Sequence, residues 1–476
     1  MSSNLPTGKF VGRVSPIGRN PTDQSQVDAP GHGNVGLRCA NPTYGTESIW
    51  RLRNFVSLQR GTTYKGNLLG LPGPVLLGLA SIEPNGGFRR GNFKTYGGDS
   101  PEKITLGPGE IYVSLKDVTQ SGDLLGSVSR LPADIKSGRL TQDTVKLEFT
   151  GAPISESYVY WLLRTPFYRE YCRSRATGTT TLGLAREDFL NFPVPEPTEL
   201  EISLVKLLEG IEGRIALLSE TNATLEAIAQ ALFKSWFVDF DPIHAKQQGL
   251  ATEGMSDATA ALFPDSFEES ELGLVPRGWY WATLADSYEI NPQRKLRKGE
   301  IAPYLDMASA PTTGHCTESF ILREMGSGSK FQNGDTLLAR ITPCLENGKS
   351  AFVDFLDDSQ IGWGSTEFLV LRPKPPLPEY HAYLLCRHKA FRDFAVQSMS
   401  GTSGRQRIQN DVLGRYLLAL PTEKIALAFS DITLPIQQKI AANHCQAQTL
   451  ATLRDTLLPR LISGQLRLPD DNTSHE

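Results

Sequence analysis

Two short segments rich in glycine, hydroxyl and basic residues have the composition best suited to binding chemistry. Residues 177–180 are Thr-Gly-Thr-Thr, and residues 400–407 are Ser-Gly-Thr-Ser-Gly-Arg-Gln-Arg. Hydroxyl, backbone N–H and guanidinium groups contact phosphates, and Arg or Gln side chains can bind the edges of guanine or adenine. The pattern as a whole is suited to nucleic-acid binding, but each residue taken alone is more typical of a solvated loop that leads into the next element.

Further basic residues occur in loop-like segments of both halves of the chain. They are Arg89, Arg90, Lys94, Lys103, Lys116 and Arg130, then Arg294, Lys295, Arg297, Lys298, Arg340 and Lys349. The formal net charge is −4, yet residues 50–140 contain 12 Lys and Arg against 7 Asp and Glu, and residues 380–420 contain 6 against 2. Residues 197–275 contain 4 against 14. Local patches matter more than total charge for nucleic-acid binding, although ordinary variation of charge along a chain explains the same pattern.

Motifs for catalysis, nucleotide binding and metal binding fail on context or spacing. Residues 31–36 fit the Gly-x-Gly-x-x-Gly pattern, but no apolar strand precedes them and no helix follows. Gly348-Lys349-Ser350 resembles the end of a phosphate-binding loop, but Pro343 stands where the first glycine is required. The seven histidines and six cysteines lack metal-ligand spacing. We therefore expect no catalytic residue, no bound cofactor and no metal in this chain.

Length and composition are typical of a soluble protein with several domains. The chain has 476 residues, of which 39% are apolar and 21% charged, and a domain usually takes roughly 100–200 residues. The most apolar run, 68–80, is broken by Pro72 and Pro74, so it is not expected to cross a membrane. Scattered cysteines without a pairing pattern suit a reducing compartment. These features predict a cytoplasmic protein without membrane association.

A long heptad pattern begins near residue 200. Apolar residues recur at alternating steps of four and three from Leu204 to Trp236, with Asn222 on the same seam. A helix of about 40 residues spans roughly 60 Å, and such a stripe needs a partner helix to be buried. A polar residue on the seam can set the register of the pair. Before this helix, short apolar runs between turn signals predict a β-rich domain, with one further helix over 156–174.

The second half of the chain repeats the first at an offset of 223–225 residues. Residues 168–171 match 391–394, and residues 177–180 match 400–403. Leu225, Leu232 and Trp236 match Leu450, Leu457 and Leu461. We expect the second long helix to begin at Pro435, since proline suits the first position of a helix, and to end near residue 462. Two such helices in one chain are expected to pair antiparallel, which gives a pseudo-two-fold internal repeat.

Three segments of the chain resemble the conserved regions of type I restriction–modification specificity subunits. They are residues 225–242 (LEAIAQALFKSWFVDFDP), residues 261–268 (ALFPDSFE) with Gly273, Pro276 and Gly278-Trp279 after them, and residues 457–464 (LLPRLISG). The resemblance covers about 50–468. The segment 1–46 departs from the family pattern, in which the first domain usually starts near the N-terminus.

The resemblance implies a non-catalytic subunit that binds double-stranded DNA at a bipartite sequence. Two target-recognition domains would each contact one half of the target, and the helices would set their spacing and dock two modification (methyltransferase) subunits and the restriction subunits. S-adenosylmethionine, ATP and Mg would be used by those partners and not by this chain. The implied fold is mixed α/β (α+β), with two target-recognition domains separated by two long antiparallel coiled-coil-like helices.

The predicted organisation follows from the repeat and the resemblance together. It comprises an N-terminal extension (1–46), a first target-recognition domain (47–197), a central helix (198–245), a second target-recognition domain with the loop before it (246–424), a C-terminal helix (425–468) and a tail (469–476). Residues expected to contact DNA are Lys116, Thr179, Thr180, Arg340, Thr402, Arg405 and Arg407. Residues expected at the helix and subunit interface are Leu204, Leu208, Ile211, Ile215, Leu218, Leu225, Leu232, Trp236, Ile436, Ile440, Leu450, Leu457 and Leu461.

Two other functions compete with this interpretation. A stand-alone methyltransferase or nuclease would need a cofactor loop or a cluster of metal-binding carboxylates, and neither pattern occurs in the sequence. A helical scaffold without a DNA role would keep its function when the two globular domains are exchanged, whereas a recognition subunit would acquire a new target.

Overall fold

The computed structural model describes residues 50–460, apart from residues 91–92, 120, 152–153, 253 and 403. The predicted extension 1–46, Leu461 and the predicted tail 469–476 lie outside the described residues. The chain forms two compact units. Among the described residues, the N-terminal unit comprises 50–215 with 448–460, and the C-terminal unit comprises 216–447.

The N-terminal unit contains short strands, four single-turn 3₁₀ helices and three α-helices before the first long helix. The strands are β1 (Trp50–Arg51), β2 (Val56–Arg60), β3 (Val75–Leu77), β4 (Thr105–Leu106), β5 (Ile111–Ser114), β6 (Lys116–Asp117), β7 (Val128–Arg130), β8 (Gly138–Leu140), β9 (Thr144–Phe149), β10 (Leu182–Gly183) and β11 (Pro193–Val194). The 3₁₀ helices are Leu52–Asn54, Gly66–Leu68, Leu79–Ser81 and Glu102–Ile104. The α-helices are α1 (Glu156–Leu162), α2 (Pro166–Ser174) and α3 (Arg186–Leu190).

The prediction of a single helix over 156–174 is wrong, because the helix is interrupted between α1 and α2. Thr165 has extended backbone angles, and its side chain accepts a hydrogen bond from the Tyr168 N–H at the start of α2. Pro166 follows at the first helical position, where its missing N–H costs nothing. Residues 158–163 are almost completely buried, so α1 forms the centre of the N-terminal core.

A long helix, α4 (Glu199–Phe237, 39 residues), continues from the N-terminal unit into the C-terminal one. The helices after it are α5 (Asp241–Gln247), α6 (Asp257–Leu262), α7 (Leu284–Ser287), α8 (Tyr380–Arg387), α9 (Lys389–Gln397), α10 (Asn410–Leu413) and α11 (Glu423–Leu457). The strands are β12 (Phe267–Ser270), β13 (Gly273–Pro276), β14 (Tyr280–Thr283), β15 (Tyr288–Ile290), β16 (Ile301–Leu305), β17 (Ile321–Glu324), β18 (Ser329–Phe331), β19 (Thr336–Ala339), β20 (Ser350–Phe352), β21 (Gly362–Gly364), β22 (Phe368–Pro373) and β23 (Leu417–Leu420).

The two units have the same sheet topology. In the N-terminal unit an antiparallel sheet has the order β2-β9-β5-β7, and a second sheet has the order β3-β8-β4 with β3 and β8 parallel. In the C-terminal unit the orders are β15-β22-β19-β20 and β17-β16-β21-β18, again with one parallel pair, β16 and β21. The C-terminal unit adds β17 at an edge. The mixed helix and strand class and the internal duplication expected from the sequence are therefore confirmed.

The second long helix, α11, begins at Glu423 and runs for 35 residues with Pro435 inside it. The expected start at Pro435 is therefore wrong. Proline lacks a backbone N–H and removes one helical hydrogen bond, but apolar residues before it are buried and hold the first turns in place. Ile425, Ala426 and Phe429 are all completely buried. Burial of this face outweighs the lost hydrogen bond.

The two long helices run antiparallel within each unit. In the C-terminal unit the ring centroids of Trp236 and Phe429 are 5.6 Å apart, while Asn222 lies beside Ile440 and Asn443. In the N-terminal unit the Glu212 carboxylate lies 4.0 Å from the Arg454 guanidinium. Residue numbers rise along one helix as they fall along the other, so the expected antiparallel direction is observed. None of the described helices is both long enough and apolar enough to span a membrane.

Candidate nucleic-acid interface

In the N-terminal unit, residues 177–183 form a narrow loop beside the end of a strand. The N–H of Thr177 donates to the Gly183 carbonyl at 2.9 Å, and the N–H of Gly183 donates back at 2.8 Å. Strand β10 pairs with β6, which places Gly183 opposite Lys116. Thr179 and Thr180 are exposed at the tip of the loop. The pairing therefore brings Lys116 next to the threonine loop, although the two are far apart in sequence.

Gly178 makes this loop possible. Its φ is +102°, and a Cβ atom there would lie 2.3 Å from the Thr181 carbonyl oxygen. An L-residue disfavours this backbone region, and the close backbone atom leaves no room for a side chain. Gly401, at the equivalent place in the repeat, has a φ of +131°. Glycine at both positions keeps the two loops narrow and their hydroxyl groups exposed.

In the C-terminal unit, residues 400–402 and 404–407 belong to the corresponding loop. Backbone hydrogen bonds of 3.0 and 2.9 Å join Ser400 and Arg407, and the Thr342 N–H donates to the Gln406 carbonyl at 3.0 Å. The Ile408 N–H donates to the Arg340 carbonyl at 3.0 Å. The loop therefore packs against the residues that follow β19. Thr402 and Arg405 are exposed, and Arg340 and Arg407 are half-buried.

Two of the predicted DNA contacts are engaged in ion pairs. Lys116 Nζ lies 2.9 Å from an Asp143 carboxylate oxygen. The Arg407 guanidinium donates through Nε and Nη2 to both Glu367 oxygens, at 2.6–2.9 Å. Hydrogen bonding from Arg407 lowers the pKa of the Glu367 carboxyl. Both cations remain partly accessible, and partly exposed pairs of this kind are weak, so a phosphate could compete for them.

Arg340 and Arg405 are less constrained. Arg340 donates to the Gln409 side-chain oxygen at 3.0 Å. The Arg405 side chain makes no ion pair within the described part of the chain. The two arginines differ from Arg294, another basic residue of this half, which is bound to the fully buried Asp335 at 2.8 Å. Lys349 donates to the carbonyls of residues 307 and 308. Arg294 and Lys349 therefore hold the fold together.

The predicted interface residues lie along the two long helices. Those that are fully buried are Leu204, Leu208, Ile211, Leu218, Trp236 and Ile440. Those that are half-buried are Ile215, Leu225, Leu232, Ile436, Leu450 and Leu457. Leu461 lies outside the described residues. Within the N-terminal unit, Leu204 and Leu208 belong to the same apolar core that Leu457 packs against.

In each unit, a glutamate on α4 accepts hydrogen bonds from side chains outside the helix. The sequence analysis did not single out these two glutamates. In the N-terminal unit Glu209 accepts from the Trp161 indole N–H at 2.7 Å and from Arg130 at 2.8 Å. Burial raises the pKa of Glu209, but hydrogen bonds from Arg130 and Trp161 outweigh it, and the pKa is lowered. In the C-terminal unit Glu226 is buried and accepts from the Tyr383 hydroxyl at 2.6 Å. No heptad pattern distinguishes these glutamates from solvated ones.

One cluster of possible metal ligands also escaped the sequence analysis. His315, Cys316 and Asp354 place one ligand atom each within 4.8 Å of the others. Only the adjacency of His315 and Cys316 is visible in the sequence. The expectation that the histidines form no metal-ligand set rested on spacing along the chain. The fold brings Asp354, which is distant in sequence, next to His315 and Cys316.

Comparison with known proteins gives a consistent set of relatives. No protein-family model matches the chain. The Type I restriction enzyme MjaIX specificity subunit of Methanocaldococcus jannaschii is 24% identical over 329 residues, which cover 67% of this chain and 70% of that protein. The Type I restriction enzyme HindI specificity subunit of Haemophilus influenzae is 24% identical over 365 residues, 63% of this chain and 74% of that protein.

Among solved structures, the chain matches a Type-I restriction-modification system S subunit from M. genitalium. The match covers 87% of this chain and 96% of that one, with 16% identity and a TM-score of 0.46. The resemblance predicted from the sequence motifs is confirmed: the curated relatives of this chain are type I restriction enzyme specificity subunits.

Proposed function

We propose that this chain is the DNA-binding specificity subunit of a type I restriction–modification enzyme and recognises a bipartite target. The observation that carries the proposal is the duplicated loop. Residues 177–183 and 400–407 occupy the same place in two units of equal topology, yet only the second loop contains arginine and glutamine. Two equivalent loops with different side chains suit two different short DNA sequences, since base recognition depends on the side chains that enter a groove.

Each loop would contact one half of the target. Thr179 and Thr180, with Lys116, would contact DNA from the N-terminal unit. Arg340, Thr402, Arg405 and Arg407 would contact DNA from the C-terminal unit. Lysine next to small hydroxyl groups is suited to phosphate contacts, whereas arginine can also bind guanine through O6 and N7.

The long helices would serve as the docking surface for two modification subunits and for restriction subunits. Several large apolar side chains on α4 and α11 are exposed in the single chain. They are Leu207, Leu217, Ile228, Leu427, Ile432, Leu434 and Leu453. Exposed apolar side chains on the long helices are available for contacts with other proteins. S-adenosylmethionine, ATP and Mg would be bound by the partner subunits, and this chain would contribute no catalytic group.

The proposal is tested by exchanging one recognition unit. The chain is expressed with its modification subunits in a host that lacks adenine methylation, and methylated adenines are mapped across the genome. Residues 246–424 are then replaced by the corresponding part of a relative with a different target. We expect one half of the methylated sequence to change and the other half to persist. An unchanged target would support a scaffold without a DNA role, and methylation by the purified chain alone would support a stand-alone enzyme.

A further inference from the structure

A compact group of nitrogen, sulfur and oxygen ligands lies inside the C-terminal unit, away from the candidate DNA-binding loop. His315 and Cys316 are adjacent on the segment between β16 and β17, and Asp354 follows β20. His315 is completely buried, and Cys316 and Asp354 are half-buried. One ligand atom from each lies within 4.8 Å of the other two. A zinc ion takes ligands of these three types at about 2.0–2.3 Å, usually in tetrahedral geometry.

The positions of the ligand atoms suit a shared ion. The His315 Nε2 atom and an Asp354 carboxylate oxygen are 3.1 Å apart. Two ligands of one tetrahedral zinc ion, each at about 2.0 Å, are separated by roughly this distance. Movements of a few tenths of an ångström would therefore place both atoms on the ion. Without an ion, the same two atoms form a hydrogen bond.

Neighbouring side chains orient the ligands. The other ring nitrogen of His315, Nδ1, lies 3.0 Å from the Tyr380 hydroxyl, and Gln437 donates to the same Asp354 oxygen at 2.6 Å. Metal-binding histidines usually have a partner on the nitrogen that does not bind the ion, and ligating carboxylates are usually hydrogen-bonded. The tyrosine hydroxyl can donate or accept, so it satisfies Nδ1 in either tautomer.

Helix α11 contacts the segment that carries two of the ligands. His444 lies with Nε2 3.0 Å from the Thr317 carbonyl, which attaches the helix to the segment carrying His315 and Cys316. A water molecule would complete a four-coordinate site.

We propose that His315, Cys316 and Asp354 bind a zinc ion that fastens the segment 306–320 to the segment that follows β20. Two backbone hydrogen bonds join this segment to β20: the Phe352 N–H donates to the His315 carbonyl and the Ser350 N–H to the Pro311 carbonyl, both at 3.2 Å. Lys349 and Arg387 donate to further carbonyls of the segment. A zinc ion would join the two segments through additional, stronger bonds. The mixed ligand set excludes calcium and magnesium, which prefer oxygen ligands.

The test uses the full chain, stripped with a chelator and then equilibrated with zinc chloride. Zinc that stays bound after gel filtration is measured by elemental mass spectrometry. We expect about one zinc per chain, and at least about tenfold weaker binding in Cys316→Ser and in Asp354→Asn. The matched control is Cys344→Ser, because Cys344 is also a free, half-buried cysteine of this unit outside the cluster. Far-ultraviolet circular dichroism checks that each variant is folded.

Cobalt provides a second measurement. Co²⁺ bound in place of zinc should give the strong visible absorption of a tetrahedral ion and a thiolate-to-cobalt band that Cys316→Ser removes. The proposal is overturned if the wild-type chain retains no more zinc than Cys316→Ser, or if Cys344→Ser loses as much. Should Cys316→Ser fail to fold, Asp354→Asn decides the question.

Discussion

The side-chain amide of Asn443 donates a hydrogen bond to the side-chain oxygen of Asn222 at 2.8 Å, across the seam between the two long helices. Asn222 in turn donates to the Ile440 carbonyl at 3.0 Å. Asn443 is almost completely buried. A polar pair among apolar neighbours is satisfied in one register only, because sliding either helix leaves both amides without partners.

Replacing Asn222 should therefore destabilise the helix pair. Asn222→Ala leaves the Asn443 amide buried without its acceptor, which should cost about 1–3 kcal/mol. Leucine at both positions should recover much of that loss, because an apolar pair needs no hydrogen bond. Urea unfolding of Asn222→Leu, Asn443→Leu and the double variant measures the coupling. Thr224→Ala, an exposed change on the same helix, should cost less than about 0.5 kcal/mol. Additive effects of the two asparagine changes would contradict the pairing.

His381 should make stability depend on pH. Burial lowers the pKa of His381 from its usual 6.5 to about 3. The unfolded chain therefore binds a proton near pH 6.5, while the folded chain stays neutral at this ring. The contribution is complete above pH 6.5 and is lost as the pH falls toward 3, by about 1.4 kcal/mol per pH unit.

The measurement compares urea unfolding at about pH 7.5 and about pH 5. Wild-type stability should fall by about 2 kcal/mol more than that of His381→Gln over this interval. Subtracting the variant removes the effect of every other titrating group. Equal pH dependence in the two proteins would show that His381 does not produce the effect.

Gly178 should be more sensitive to substitution than another glycine with positive φ. Gly178→Ala adds backbone strain and a Cβ 2.3 Å from the Thr181 carbonyl oxygen, so the loop must move. Gly70→Ala, with a φ of +81° and no atom within 4 Å of the added Cβ, should cost only about 1 kcal/mol of strain. Thermal unfolding and binding to a DNA duplex are measured for both. Only Gly178→Ala should also weaken DNA binding. If the two variants bound DNA with the same affinity, the loop would not be part of the interface.

Arg405→Ala should weaken DNA binding and should make the DNA affinity depend less on salt concentration. An exposed arginine that contacts one phosphate releases about one counterion, so its loss should reduce the slope of log affinity against log salt concentration by about one. Lys389→Ala removes the same charge from an exposed residue of α9 outside the loop and serves as the control. Titration of a mixed-sequence duplex at several salt concentrations gives both values. Identical slopes for the two variants would remove Arg405 from the interface.

The duplication and the two helices could be predicted because each leaves a periodic trace in the sequence. The repeat offset also predicts the correct start of α11. Glu423, where α11 begins, stands 224 residues after Glu199, where α4 begins. Pro435 obscured it, because proline marks helix starts more often than helix interiors. The propensity of one residue was outweighed by buried neighbours such as Phe429, which only the packed structure reveals.

The details of the candidate site were less accessible to sequence reasoning. The partners of Lys116 and Arg407 are Asp143 and Glu367, separated from them by 27 and 40 residues. No local pattern links such pairs. The same limit applied to Asp354 and His315, which are 39 residues apart. Residue type and loop context identified candidate cations, but ion pairing depends on the strands that bring the segments together.

Those ion pairs have a consequence for the proposed function, in which the chain distinguishes its target from bulk DNA. Because Lys116 and Arg407 already have carboxylate partners, a duplex that contacts them must displace Asp143 and Glu367, at a small cost in free energy since both pairs are partly exposed. Only a duplex that also satisfies neighbouring groups would repay that exchange. The paired carboxylates would thus shorten the residence time on unrelated DNA and speed the search for the target.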